Sequence, residues 1–336
     1  MRIQKEAILT VKDLKTYIYV NNRCNRAVDG VSFEVFKGKT LGIVGESGCG
    51  KSITASSIMQ LLPRLSRIES GEITYHEKDK DIRIDLLERN GKSMRELRGA
   101  DISMIFQDPM TALNPVYTIG SQIRENLLYH TSMSSQSMKE KAVELLQKMG
   151  IPLAEHRSGE YPHQFSGGMR QRAMIAMAMA CNPKILIADE PTTALDVTIQ
   201  AQIFELMQKL KEEHQTAIIM ITHDMGVIAE LANDVAVMYM GSIVEKGTVD
   251  EVLRNPAHPY TKALLQTIPK LGQGKKQKLE PIRGATPDPY MRPKGCQFMP
   301  RCDYASDECN QFPEDMQITD SHYAKCWKSK EVTKNA

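Results

Sequence analysis

Gly45-Glu46-Ser47-Gly48-Cys49-Gly50-Lys51-Ser52 is an unbroken G-x-x-x-x-G-K-S. In that pattern the backbone N–H groups of the glycine loop wrap a triphosphate, Lys51 reaches the β and γ phosphates, and the Ser52 hydroxyl ligates Mg²⁺ at the start of the next helix. The flanks agree. Thr40 to Val44 is a short apolar and β-branched run that ends where the glycines begin, and Ile53 to Leu62 continues as a predicted helix, giving strand, loop, helix.

Outward from this loop the chain reads as α/β. Short strands are expected from Ile8 to Phe36, at Ile73 to Tyr75, and at Ile102 to Phe106 just before Gln107. From about 118 to 183 the pattern turns helical, with Met138 to Met149 and Met169 to Ala180 free of breakers and apolar at three- and four-residue intervals. Strands return at Ile185 to Ala188, Ala217 to Thr222 and Val235 to Met240. The expected fold is therefore an α/β P-loop NTPase core of the RecA-like kind, interrupted by a helical insert. A small Cys-rich region closes the chain.

Composition narrows the class. The chain has 336 residues, 41% hydrophobic and 25% charged, an ordinary globular composition. Its 43 basic and 41 acidic residues leave a net charge of +2, which gives no reason to expect nucleic acid or anionic lipid as a partner. Met1 to Glu6 lacks the apolar core of a signal peptide, and no stretch approaches the ~18 uninterrupted apolar residues of a membrane span. A cytosolic location is expected, with no membrane span of the chain's own. The 20 methionines, Met174, Met177 and Met179 among them, read as core filler.

Two further motifs assign chemistry. Ile185-Leu-Ile-Ala-Asp189-Glu190 is a buried-strand pattern ending in two acids, where Asp189 can hold Mg²⁺ through water and Glu190 can orient or deprotonate an attacking water. Ser166-Gly167-Gly168-Met169-Arg170-Gln171 follows Ser52 by 114 positions. Ser166 and the Gly167 and Gly168 amides open a helix and form a second anion site. His223 follows the strand Ala217 to Thr222, so the candidate groups fall at strand ends.

Taken together, Gly45 to Ser52, Gln107, Ser166 to Gln171, Asp189-Glu190, Ala194-Leu-Asp196 and His223 resemble the nucleotide-binding subunits of ABC transporters over roughly residues 8 to 250. The resemblance implies two such subunits packed head to tail, each ATP held between Lys51 of one and the Ser166 site of the other, with Gln171 and Asp196 also facing the partner's nucleotide. It implies that Gln107 contacts Mg²⁺ and the attacking water, and that His223 senses the γ-phosphate. Tyr17 or Tyr19 stacks on adenine, with Tyr19 the chosen candidate. It also implies separate partners: two membrane permease subunits, an extracytoplasmic solute-binding protein, and a second ATPase that is either an identical copy or, as the resemblance favours, a sister subunit. The chain would then sit peripherally on the cytoplasmic face of the membrane. Asp108 to Tyr117, apolar with two prolines, suits an exposed docking groove on the helical insert.

The tail specifies the branch. Asn255-Pro-Ala-His-Pro-Tyr-Thr-Lys-Ala-Leu-Leu265, Gly295-Cys-Gln-Phe-Met-Pro-Arg-Cys302, Cys309 and Cys326-Trp327 resemble the C-terminal region of oligopeptide and dipeptide importer ATPases. Peptide import is expected, with nickel, glutathione or sugar import, or a soluble ATPase lacking membrane subunits, as the alternatives. Gaps of five, six and sixteen residues separate Cys296, Cys302, Cys309 and Cys326, which fits neither common zinc nor ferredoxin spacing. By resemblance the four thiols bind a [4Fe–4S] cluster, with structural zinc as the rival. The expected division is a nucleotide-binding domain over 1–250, with its helical subdomain at about 108–183, and a C-terminal region over 251–336. A linker is expected around 270–294. Cys49, between a helix start and Lys51, is expected to have a lowered pKa and to react with thiol reagents, unless it is only a small residue the loop tolerates.

Overall fold

A computed structural model of the chain describes residues 6–77, 80–192, 195–267 and 281–334. They group into two compact units: one is built mainly from Leu86–Ile221 with the short run Val35–Lys39, the other from Leu9–Glu34, Thr40–Asp85 and the chain from Thr222 onward.

The first unit carries three parallel strands, Ile102–Ile105, Ile185–Asp189 and Ala217–Thr222, with Ile185–Asp189 between the other two. Ile102 lies opposite Ile185, which in turn lies opposite Ala217. All three strands are buried along their length, as expected for apolar runs in a parallel sheet covered on both faces. The stretch expected to be helical contains Ile119–His130, Ser135–Lys148, Ala154–Ser158 and Gly167–Ala178. Their starts are chemically marked: Thr118, Ser134 and Ser166 each cap a first turn by accepting a backbone N–H.

In the second unit Thr40–Val44 pairs in parallel with Asp234–Tyr239, and Asp234–Tyr239 pairs antiparallel with Ser242–Thr248. The short strands Tyr323–Ala324 and Met316–Gln317 extend this mixed sheet. Met240 and Gly241 both have positive φ, the conformation a two-residue hairpin requires. A separate antiparallel sheet runs in the order Arg23–Phe36, Ala7–Val20, Ser66–Glu77, Lys80–Arg83, and its first hairpin turns on Asn21 and Asn22, again left-handed.

Two expectations shift. The helix after the phosphate loop spans Lys51–Ile58, starting earlier and ending earlier than Ile53 to Leu62, because Gln60 takes a left-handed φ and its side-chain amide bonds the Ile84 carbonyl instead. Ser242–Thr248 was not expected as a strand. The linker expected over 270–294 lies outside the described residues up to 280, and from 281 to Phe298 the backbone forms neither helix nor strand.

Candidate active site

The phosphate loop is shaped by close approach. A Cβ at Gly45 would collide with the Met238 carbonyl, and one at Gly50 with the Ala27 carbonyl, while φ is +154° and +107° at the two positions. At the tip Ser47 and Gly48 are exposed, and no atom stands within 4 Å of where a Gly48 Cβ would be. Lys51 is buried to 5% exposure, and its ammonium donates to the Gly45 carbonyl at 2.7 Å and the Glu46 carbonyl at 3.1 Å. Ser52, in the first turn of the helix, is exposed. A loop of bare amides around a cation at a helix start suits a polyphosphate.

Cys49 corrects one expectation. The thiol is buried at 4% exposure, and burial pushes its pKa up by more than the neighbouring Lys51 pulls it down. The loop folds it inward, with Sγ 3.8 Å from the Lys51 ammonium.

In the first unit the two predicted acids close the strand Ile185–Asp189. Asp189 is buried at 5% exposure. Glu190 takes φ +47°, which is strained for a residue with a Cβ, and its N–H is tied to the Ile221 carbonyl at 2.9 Å. Gln107, just beyond the strand Ile102–Ile105, donates from Nε2 to Glu190 Oε2 at 3.1 Å, so the fold brings these two expected catalytic groups into contact.

Ser166 caps the helix Gly167–Ala178 by accepting from Met169 N–H at 3.3 Å. A Cβ on Gly167 would meet nothing within 4 Å, whereas one on Gly168 would press on Ile199. Gln171 turns inward at 2% exposure, and its amide nitrogen has no hydrogen-bond partner among the described residues. Asp196 caps the helix Val197–His214 through Ile199 N–H at 3.0 Å, and its neighbour Ala194 lies outside the described residues.

In the second unit His223 is exposed at the tip of a turn closed by Asp224 N–H donating to Thr222 Oγ1 at 3.0 Å. The Tyr19 hydroxyl bonds Glu69 and the Arg67 guanidinium covers its ring at 4.7 Å, while the Tyr17 hydroxyl bonds Asp29 at 3.1 Å.

Residues 28–193 match the family described as ABC transporter, and residues 244–309 match the family described as oligopeptide/dipeptide transporter, C-terminal region. The dipeptide transport ATP-binding protein DppD of Haemophilus influenzae is 47% identical, over 95% of this chain and 95% of its own. The oligopeptide transport ATP-binding protein OppD of Bacillus subtilis is 49% identical, over 97% of this chain and 90% of its own. This chain belongs to the ABC transporter family. An ABC cassette solved as a dimer in a post-hydrolysis state with ADP and Pi matches it at TM-score 0.63 and 26% identity, over 72% of this chain and 98% of that one. The ABC protein cbiO1 of Clostridium perfringens matches at TM-score 0.60 and 26% identity, over 74% of this chain and 91% of that one. As an ABC ATPase the chain binds ATP and Mg²⁺, and the glycine cradle with the buried Lys51 suits the phosphates of that nucleotide.

The cysteine cluster is a correction. Cys296, Cys302, Cys309 and Cys326 line one small pocket of the second unit as free thiols. Yet among the described residues no three His, Cys, Asp or Glu side chains converge closely enough to hold a metal ion, so neither the [4Fe–4S] cluster nor zinc is borne out. Burial pushes the Cys296 thiol up, Cys302 up to about 11 and Cys326 up to about 12. Sequence reasoning quoted Tyr260 and Arg301 only inside the tail stretches and missed their role, which is to hold the phosphate loop from 214 and 255 positions away.

Proposed function

We infer that the chain is the ATP-hydrolysing subunit of a membrane importer for dipeptides or oligopeptides. The observation that carries this reading is the close match to dipeptide and oligopeptide transport ATP-binding proteins along nearly the whole chain, cassette and C-terminal region alike. Residues 1–250 form the nucleotide-binding domain, with the helical subdomain at about 108–183, and 251–336 the peptide-transporter C-terminal region.

In this reading the amides of Gly45, Glu46, Ser47, Gly48, Cys49 and Gly50 and the Lys51 ammonium hold the triphosphate, and Tyr19 stacks on adenine. Ser52, Asp189 and Gln107 would hold Mg²⁺, which would neutralise charge on the phosphates. Glu190 takes the proton of the attacking water, with Gln107 orienting its carboxylate. The bond between those two side chains and the strained backbone of Glu190 support this assignment, since strain of that kind concentrates where geometry serves chemistry. His223 reads the γ-phosphate. Ser166, Gly167, Gly168 and Asp196 act on the nucleotide of the facing ATPase, a sister subunit, whereas Gln171, buried at 2% exposure, stays inside its own subunit. Among the described residues no helix is long and apolar enough to cross a membrane, so we assign solute passage to two permease subunits fed by a solute-binding protein, with this chain peripheral on the cytoplasmic face.

Replacing Glu190 with Gln keeps the shape and the contact to Gln107 but removes the base. Hydrolysis should fall by about 10²–10⁴-fold while ATP binding persists, measured as phosphate release and as nucleotide retained on the protein. Unchanged turnover would remove Glu190 from this role. Affinity purification of the chain from membranes should bring down permease subunits, and recovery without them would count against the importer.

A further inference from the structure

Glu46 is the second residue of the phosphate loop, and each of its polar groups is engaged. Its N–H donates to the Tyr260 hydroxyl at 2.8 Å, its carbonyl accepts from Lys51 at 3.1 Å, and its carboxylate takes both arms of Arg301 at 2.7 and 3.0 Å. Thr286 lies 3.5 Å from the same carboxylate. Two of these partners, Arg301 and Thr286, lie beyond residue 280, and Tyr260 lies in the helix Pro259–Gln266.

Arg301 is itself firmly set. It is 5% exposed, its Nε donates to the Arg283 carbonyl at 2.9 Å, and its guanidinium carbon stands 5.8 Å from the ring centres of both Tyr239 and Phe298. Those two rings and Tyr260 pack on one another with centroids 4.7 to 5.4 Å apart. A buried guanidinium needs a carboxylate partner, and the one it finds belongs to the loop that receives phosphate. The fork of two parallel bonds fixes the orientation of Glu46 as well as its distance. One of the carbonyls that Lys51 bonds is the carbonyl of this same residue. The aim of the loop amides and the position of the lysine are thereby tied to the C-terminal region.

We propose that Arg301 is a positioning residue for ATP binding: paired with Glu46 and assisted by the Tyr260 hydroxyl, it makes the C-terminal region a brace that holds the phosphate loop in its nucleotide-receiving shape. The brace contributes by pre-organisation, so its loss appears in affinity before it appears in chemistry. This inference rests on the reading of Gly45 to Ser52 as the ATP loop.

The test compares the full-length chain with Arg301→Lys, Glu46→Gln and the double variant, reading MgATP affinity, the KM and kcat of hydrolysis, and melting temperature. Each single variant should bind MgATP about 10-fold more weakly and raise KM by a similar factor, with kcat within about twofold, a tenfold change being about 1.4 kcal/mol. The double variant should be no weaker than the weaker single one, because both changes break the same pair. Glu46→Gln, nearly isosteric and on the more exposed side of the pair, decides the matter should Arg301→Lys fail to fold. Variants that lose melting temperature but keep the original affinity and KM would reduce the pair to a structural tie and overturn the proposal, as would additive losses. Failure of the unaltered chain to bind MgATP would instead sink the ATPase reading on which it stands.

Discussion

Cys49 is pulled in opposite directions by its surroundings. A helix start and the Lys51 ammonium favour the thiolate, while removal from water disfavours it, and burial is the larger effect. At pH 7.5 N-ethylmaleimide should therefore modify exposed Cys24 at least ~100-fold faster than Cys49, since the buried thiol needs both opening of the loop and ionisation. Peptide mass mapping over time measures the ratio, and hydrolysis should persist while only Cys24 is labelled. Equal rates in the folded protein would show that the loop leaves the thiol accessible. The presence of Cys49 beside Lys51 was legible in the sequence; its burial was not, because that depends on where the chain folds over the loop. The same holds for Glu190. Its place after a buried strand could be read from Ile185 onward, but its left-handed backbone could not.

Elements were legible where one periodicity dominates. Ile185–Asp189 and Ala217–Thr222 are continuous apolar runs and appear as strands, whereas Ser242–Thr248 carries Glu245 and Lys246 in its middle and does not announce itself. The structure explains the acid: Glu245 is 1% exposed and accepts from the Ala257 and His258 N–H groups at 2.7 and 2.9 Å and from His322 at 2.7 Å. It anchors the start of the helix Pro259–Gln266, where His258 accepts from Tyr260 N–H at 3.1 Å through its ring nitrogen. Burial holds the His258 imidazole down to about 3. A depressed histidine contributes stability that is fully present above its unfolded value of about 6.5 and is lost as pH falls from there toward 3, because the unfolded chain binds the proton first. Between pH 7 and pH 5 that loss is about 2 kcal/mol. Asn at this position keeps a capping acceptor and does not titrate. Urea unfolding at the two pH values should show His258→Asn losing less stability than the unaltered chain by that amount, and parallel losses would mean that His258 takes up its proton in the folded state. Tyr260 is also the residue that holds Glu46, so acid loosening of this helix start should weaken the hold on the phosphate loop as well.

At the scale of the whole molecule, what was legible in the sequence is what lies close together along it. The phosphate loop, the strand-end acids and the tract from Ser166 to Gln171 each occupy eight residues or fewer and carry their own chemistry. The pair of Arg301 and Glu46 spans 255 positions, and the packing of four cysteines round a pocket with no metal-holding group among the described residues also depends on folding, so neither could be read locally. Surfaces for partner chains fall between these cases: composition marks them and geometry defines them. Asp108 to Tyr117 forms a short helix, Pro109–Ala112, capped by Asp108, and then a loop pinned by buried Gln122, whose side chain accepts from Asn114 N–H and donates to the Asn114 and Tyr117 carbonyls at 2.9 to 3.1 Å. The backbone is held while Met110, Val116 and Tyr117 stay 62%, 70% and 57% exposed. A fixed apolar surface directly after Gln107 is suited to receive a cytoplasmic loop of a permease, and aromatic anchors carry most of the energy at such contacts. Tyr117→Asp places a charge on this surface without touching the nucleotide groups. Co-purification of permease subunits from membranes should fall at least ~10-fold, and stimulation of hydrolysis by the assembled transporter should be lost, while hydrolysis by the isolated chain stays unchanged. If the variant assembles and couples as well as the unaltered chain, the permease docks elsewhere.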